Sequence, residues 1–171
     1  MPVTQPTPEQ ATSPCGFPDD TPWLDAAQQQ VWRSFIAGTT ALTDQLDRDL
    51  RTGHGLSMPE YEILVRLSEA DGWSIRMAEL ADAVGYSRSR VTHTVARLER
   101  AGWVVRGQCA DDGRGVSAVL TDPGFAVLEA AAHTHVRGVH DHLVAQASAE
   151  DFAAVGRVMA AVAAQLHARP F

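Results

Sequence analysis

Residues 77–120 change their hydrophobic period twice, and this restricts the fold more than any other feature of the chain. In "MAELADAV" the apolar stripe Met77, Leu80, Ala81 and Val84 has helical spacing, which predicts a short amphipathic helix over 74–84. Gly85 then supplies a tight turn and Ser87 an N-cap, and Val91, Val95 and Leu98 resume the helical period over 88–101. Beyond them, "WVVRGQC" and "VSAVLT" are β-branched runs on either side of "ADDGRG", the pattern of a hairpin. Short helix, turn, helix and hairpin in this order predict a winged helix-turn-helix.

Longer helices flank this lobe. Thr21 and Pro22 are expected to open a helix carrying Leu24, Val31, Phe35, Leu42, Leu46 and Leu50, which "RTGHGL" stops. Ser57 and Glu60 form a capping box for a second helix ending at Gly72. Asp122 and Pro123 open a helix to about Ala147, with Gly138 weakening its middle, and Ser148 with Asp151 caps a last helix to about Ala168. Residues 1–20 hold five prolines and no periodicity, as a flexible arm would. The expected organisation is an arm over 1–20, a helix within 21–56, a winged helix-turn-helix lobe over 57–121 and two helices within 122–171. This is a mainly α fold with a small β-wing, whose flanking helices are too long and apolar for a lone monomer.

Charge indicates what the lobe is for. The chain carries a net charge of -7, yet between Tyr86 and Arg106 five arginines face the single acid Glu99. Local field governs nucleic-acid binding more than the total does. On a helical wheel Ser89, His93, Arg97 and Arg100 lie opposite Val91, Val95 and Leu98, with Arg90 at the border. Ser89, His93, Arg88 and Arg90 sit in the first two turns, where a recognition helix meets base edges, and Ser87 and Thr92 lie alongside. Arg97 and Arg100 lie farther along, where phosphates are the expected partners. Arg114, at the hairpin tip, is expected to enter the minor groove of double-stranded DNA, with Asp112 bracing the wing by pairing with an arginine.

Other chemistries are weaker. There is no nucleophile elbow, phosphate-binding glycine loop or carboxylate cluster with a base, so no enzyme and no cofactor are expected. His133 aligns with His140, and His135 with His142, on nearly opposite faces two turns apart, which is too far for one tetrahedral metal site within a helix. Cys15 lies in the proline-flanked arm and Cys109 between the hairpin strands, so neither is expected to be redox-active. The alternatives are a redox-responsive regulator using Cys15 or Cys109, a metal-responsive one using the His133–His142 cluster, and a protein-interaction dimer that does not bind DNA. Trp23, Trp32, Arg51 and His54 form a candidate effector pocket. No run of eighteen apolar residues and no secretory leader pattern occur, so a cytoplasmic location away from membranes is expected.

The stretches "IRMAELADAVGYSRSRVTHTVARLERAGWVVR" and "DDGRGVSAVLTDPG" resemble the MarR family of bacterial transcriptional regulators, and the resemblance runs from about Trp23 to Leu166. The family's wing signature matches Asp112, Arg114, Leu120, Thr121 and Gly124, whereas Gly113 stands where many members carry a second arginine. "EAAAHTHVRGVHDHL" is similar to actinobacterial members. The resemblance implies a homodimer built by the terminal helices, two winged lobes reading a palindromic operator, and usually repression. It also implies a small-molecule effector, aromatic or phenolic, bound where the dimer helices meet the lobe.

Overall fold

Asp25 and Gln28 start the first helix. The Asp25 N–H donates to Gln28 Oε1 at 3.0 Å and the Gln28 N–H to Asp25 Oδ1 at 2.8 Å, a reciprocal cap. Helix α1 therefore runs over Ala26–His54 and does not begin at Thr21 and Pro22 as the sequence suggests. This computed structural model describes residues 21–108 and 115–167, and the chain divides into two compact units, residues 1–38 and 39–171. In the first, the rings of Trp32 and Phe35 stack at 6.1 Å.

The second unit continues with α2 (Met58–Glu69), β1 (Ser74–Arg76), α3 (Met77–Val84), α4 (Arg88–Arg100), β2 (Val104–Gln108), β3 (Val116–Leu120), α5 (Asp122–His142) and α6 (Ala149–His167). The fold is thus mainly helical with a small antiparallel sheet of order β1-β3-β2. The hairpin pairs Val104 with Leu120 and Gln108 with Val116. Its third strand corrects the expectation of helix from Ser74. Ser74, Ile75 and Arg76 pair with Val119, Ala118 and Ser117, and this ladder with a segment more than forty residues away overrides local helical spacing. Between α2 and β1 the chain turns through Gly72 and Trp73, both at positive φ, 60° and 56°. A left-handed tryptophan is costly, and its indole offsets the cost by stacking on Phe125 at 4.8 Å and 10°.

The core gathers Leu50, Leu56, Ile63, Leu64, Leu80 and Leu98, with Ala118 and Leu128 from β3 and α5. Helix α2 lies at its centre, against α3, α4, β3 and α5. Glu60 caps it by accepting from the Ser57 N–H at 2.8 Å and the Ser57 hydroxyl at 2.5 Å. Asp47 of α1 adds a second cap, its Oδ1 accepting the Met58 N–H at 2.7 Å. Helix α5 is capped by Thr121, whose Oγ1 accepts from the Gly124 N–H at 3.1 Å and donates to the Gly102 carbonyl at 2.8 Å. Gly124 lies so close to the Trp103 carbonyl that a side chain has no room. Gly138 does not break α5. It is buried where a Cβ would lie 2.7 Å from Leu46 Cδ2, so α1 and α5 pack closely there. The helix does stop at His142, short of the expected Ala147, in a 3-10 turn over Val144–Gln146. Ser148 and Asp151 cap α6 as expected, the Asp151 N–H donating to Ser148 Oγ at 3.1 Å.

Candidate nucleic-acid interface

Gly85 sets the angle between α3 and α4. At φ 67° it adopts the left-handed conformation that ends α3, and the Tyr86 N–H returns to the Ala81 carbonyl at 3.1 Å. Ser87 then caps α4, its hydroxyl accepting the Arg90 N–H at 3.3 Å. With the helix so fixed, Val91, Val95 and Leu98 are fully buried. Arg88, Ser89, Arg90, Thr92, His93, Arg97 and Arg100 are all exposed, and Ser89, His93, Arg97 and Arg100 lie on the face the wheel assigned to DNA. Thr92 Oγ1 is already committed to the Arg88 carbonyl at 2.8 Å, so this hydroxyl has less to offer a ligand than Ser89 or His93.

The arginines are not equivalent. Arg90 lies over the Tyr86 ring, its guanidinium carbon 3.9 Å from the centroid. The Tyr86 hydroxyl donates to Glu62 Oε2 on α2. Burial, followed by the carboxylate of Glu62, pushes the Tyr86 phenol up to about 12, so it keeps its proton throughout the neutral range. Arg97 pairs through Nε with Glu60 Oε1 at 3.1 Å. That carboxylate is buried and otherwise serves as the α2 cap, so Arg97 supports the lobe as well as standing on the exposed face. Arg100 bends back to the Ala96 carbonyl at 3.2 Å. Arg106 of β2 bridges to Glu99 at 3.2 Å and donates to the Thr92 carbonyl at 3.2 Å, tying the wing strand to α4 at two points. Tyr86, Glu62 and Arg106 were not singled out from the sequence, and Glu60 was read only as a helix cap. Their partners are up to thirty-seven residues apart, beyond any local spacing rule. Arg114, Asp112 and Cys109 of the hairpin, and Cys15 of the arm, lie outside the described residues.

The candidate effector residues fall in separate units. Trp23 and Trp32 belong to the first. Arg51 and His54 belong to the second, where Arg51 Nε meets Asp47 Oδ2 at 2.5 Å and His54 Nε2 meets Thr134 Oγ1 at 2.8 Å. The Arg51 guanidinium holds the Asp47 carboxyl below the usual carboxylate range. A cavity of about 410 Å³ opens between α2 and α5, lined by Met58, Tyr61, Glu62, Val65, Arg66 and His135. His135 packs on the Tyr61 ring at 4.6 Å, and burial pulls its imidazole below the ordinary histidine value. The other histidines of α5 point elsewhere, His140 pairing with Asp141 at 2.9 Å. Among the described residues no group of three or more His, Cys, Asp or Glu could hold a metal ion. Nor, among them, is any helix long and apolar enough to cross a membrane.

Comparison with known proteins agrees with this architecture. The family model described as MarR family matches residues 54–115. The HTH-type transcriptional regulator PecS of Dickeya dadantii is 33% identical over 126 residues, 73% of this chain and 75% of that protein. The crystal structure of AbsC, a MarR family transcriptional regulator from Streptomyces coelicolor, superposes with a TM-score of 0.82 at 38% identity, covering 87% of this chain and all of the other. That of Sco3205 from the same organism, a MarR family transcriptional regulator solved in complex with DNA, gives a TM-score of 0.82 at 42% identity over 86% and 95% of the two chains. With the winged helix-turn-helix in place and relatives of this similarity along most of its length, the chain belongs to the MarR family of transcriptional regulators and is not an enzyme.

Proposed function

We propose that the protein is a homodimeric repressor that binds double-stranded DNA through α4 and the wing. The observation that carries this reading is the division of α4. Val91, Val95 and Leu98 are buried, while the arginines, Ser89 and His93 of an acidic chain are exposed on the opposite side. Ser87, Arg88, Ser89, Arg90 and His93 read the major groove, with Thr92 beside them. Arg97 and Arg100 hold phosphate, and Arg114, braced by Asp112, enters the minor groove. The relative Sco3205, a structure in complex with DNA, supports the same use of the fold.

A second copy supplies the two-fold symmetry of a palindromic operator. Phe152, Val155, Met159, Val162 and Leu166 of α6 recur at threes and fours and are all exposed, a stripe suited to another copy of this helix. Such a dimer places two recognition helices about one turn of DNA apart and represses by occupying a promoter. An aromatic or phenolic effector enters at the cavity between α2 and α5, where Tyr61 and His135 offer ring faces.

The test is selection of duplexes from a randomised pool by the purified full-length protein, then titration of the recovered duplex at several salt concentrations. The expected result is an imperfect palindrome bound by two chains, with log affinity falling linearly against log salt. A protein that enriches no sequence and shows no salt-dependent affinity for any duplex overturns the reading.

A further inference from the structure

We infer that Tyr86 is a positioning residue for base recognition: its ring, held by Glu62 of α2, fixes the Arg90 guanidinium before DNA arrives. The inference rests on the proposed DNA-binding role and adds to it a group that touches no DNA. An arginine on an exposed helical turn has four rotatable side-chain bonds, and holding it in one geometry for a bidentate base contact costs entropy. Here that cost is met in advance. Tyr86 lies in the turn before α4, half-buried, and presents its ring face to Arg90 at 3.9 Å. Its hydroxyl donates to Glu62 Oε2, which restrains the ring further in a site where it is already half-buried. Glu62 stands on the helix at the centre of the lobe, so Arg90 is referenced to the core and not to its own surface helix. Neighbouring arginines differ in this respect, since Arg97 is drawn to Glu60 and Arg100 to its own helix backbone.

The experiment uses the full-length protein and two probes, the duplex selected by the wild type and a scrambled duplex of equal length. Tyr86→Leu removes the ring, Tyr86→Phe keeps the ring and removes the bond to Glu62, and Glu62→Ala removes the anchor from the other side. On the selected duplex Tyr86→Leu is expected to lose about 5- to 20-fold in affinity, part of the value of one bidentate base contact. Tyr86→Phe and Glu62→Ala should lose less. Affinity for the scrambled duplex and the salt slope stay unchanged, because no cation has been removed. In an Arg90→Ala background Tyr86→Leu costs nothing further. The upfield displacement of the Arg90 side-chain NMR signals by the ring disappears in Tyr86→Leu and persists in Tyr86→Phe, and unchanged methyl signals of the buried Val91 and Val95 in Tyr86→Leu establish that its lobe is folded. Equal losses on both duplexes, or an additive loss in the Arg90→Ala background, overturn the positioning role and leave the DNA-binding role intact. A wild type that selects no duplex overturns both.

Discussion

Arg97 and Arg100 are both exposed arginines in the last two turns of α4, yet their substitution should have different consequences. Arg97→Ala leaves Glu60 buried with its Ser57 bonds and without its ion pair, whereas Arg100→Ala breaks only a bond to its own helix. Because half of the Arg97 side chain faces solvent, screening reduces the cost, and a loss of about 1–2 kcal/mol is expected. Urea denaturation should show this loss for Arg97→Ala and none for Arg100→Ala, while both weaken DNA binding. Gly124 carries a steric prediction. A β-carbon there would run into the Trp103 carbonyl and reach 2.9 Å from Leu120 Cδ1. Gly124→Ala should therefore lose about 1–3 kcal/mol of stability, read as a lower urea midpoint at unchanged slope. The buried trio Val91, Val95 and Leu98 was legible from spacing alone, since burial on a helix follows the 3.6-residue period. The Tyr86–Glu62 contact was not, because nothing local links two residues that meet only when α2 and the α3–α4 turn pack.

At the scale of elements, the same contrast separates α4 from β1. Helix α4 is specified by its own cap and its own stripe, and its bounds were readable. Strand β1 exists only because β3 offers it a ladder, so its three residues looked like the start of α3. Helix α1 shows a competition between two local signals, in which the reciprocal Asp25–Gln28 cap wins over a threonine before proline. The contact of α5 with α2 should respond to pH. Burial against Tyr61 lowers the His135 value, and the nearby Glu62 partly opposes this. A histidine held neutral in the fold takes up a proton more readily when unfolded. Its contribution is therefore present above the ordinary value of about 6.5 and is lost as pH falls through the lower folded value. Thermal melts between pH 7 and pH 5 should show a steeper decline for the wild type than for His135→Phe.

For the whole molecule, the proposed dimer depends on the exposed stripe of α6. Introducing Met159→Glu and Val162→Glu together places like charges against each other across a two-fold interface, at several kcal/mol. The dimer Kd should rise at least about 100-fold in sedimentation equilibrium, and affinity for the selected duplex should fall with it, while the fold of the lobe is preserved. The apolar excess of the terminal helices leads to the expectation of a dimer, but which side chains form the stripe required the bounds of α6, which begins at Ala149. The separation of faces on α4 has a consequence for how such a protein diversifies. Residues 88, 89, 92 and 93 carry none of the core, so they can be exchanged without endangering the fold. New operators are thus open to it by surface substitution alone, except at position 90. There a change of specificity has to bring its own aromatic platform, and residues 86 and 90 should be inherited as a pair.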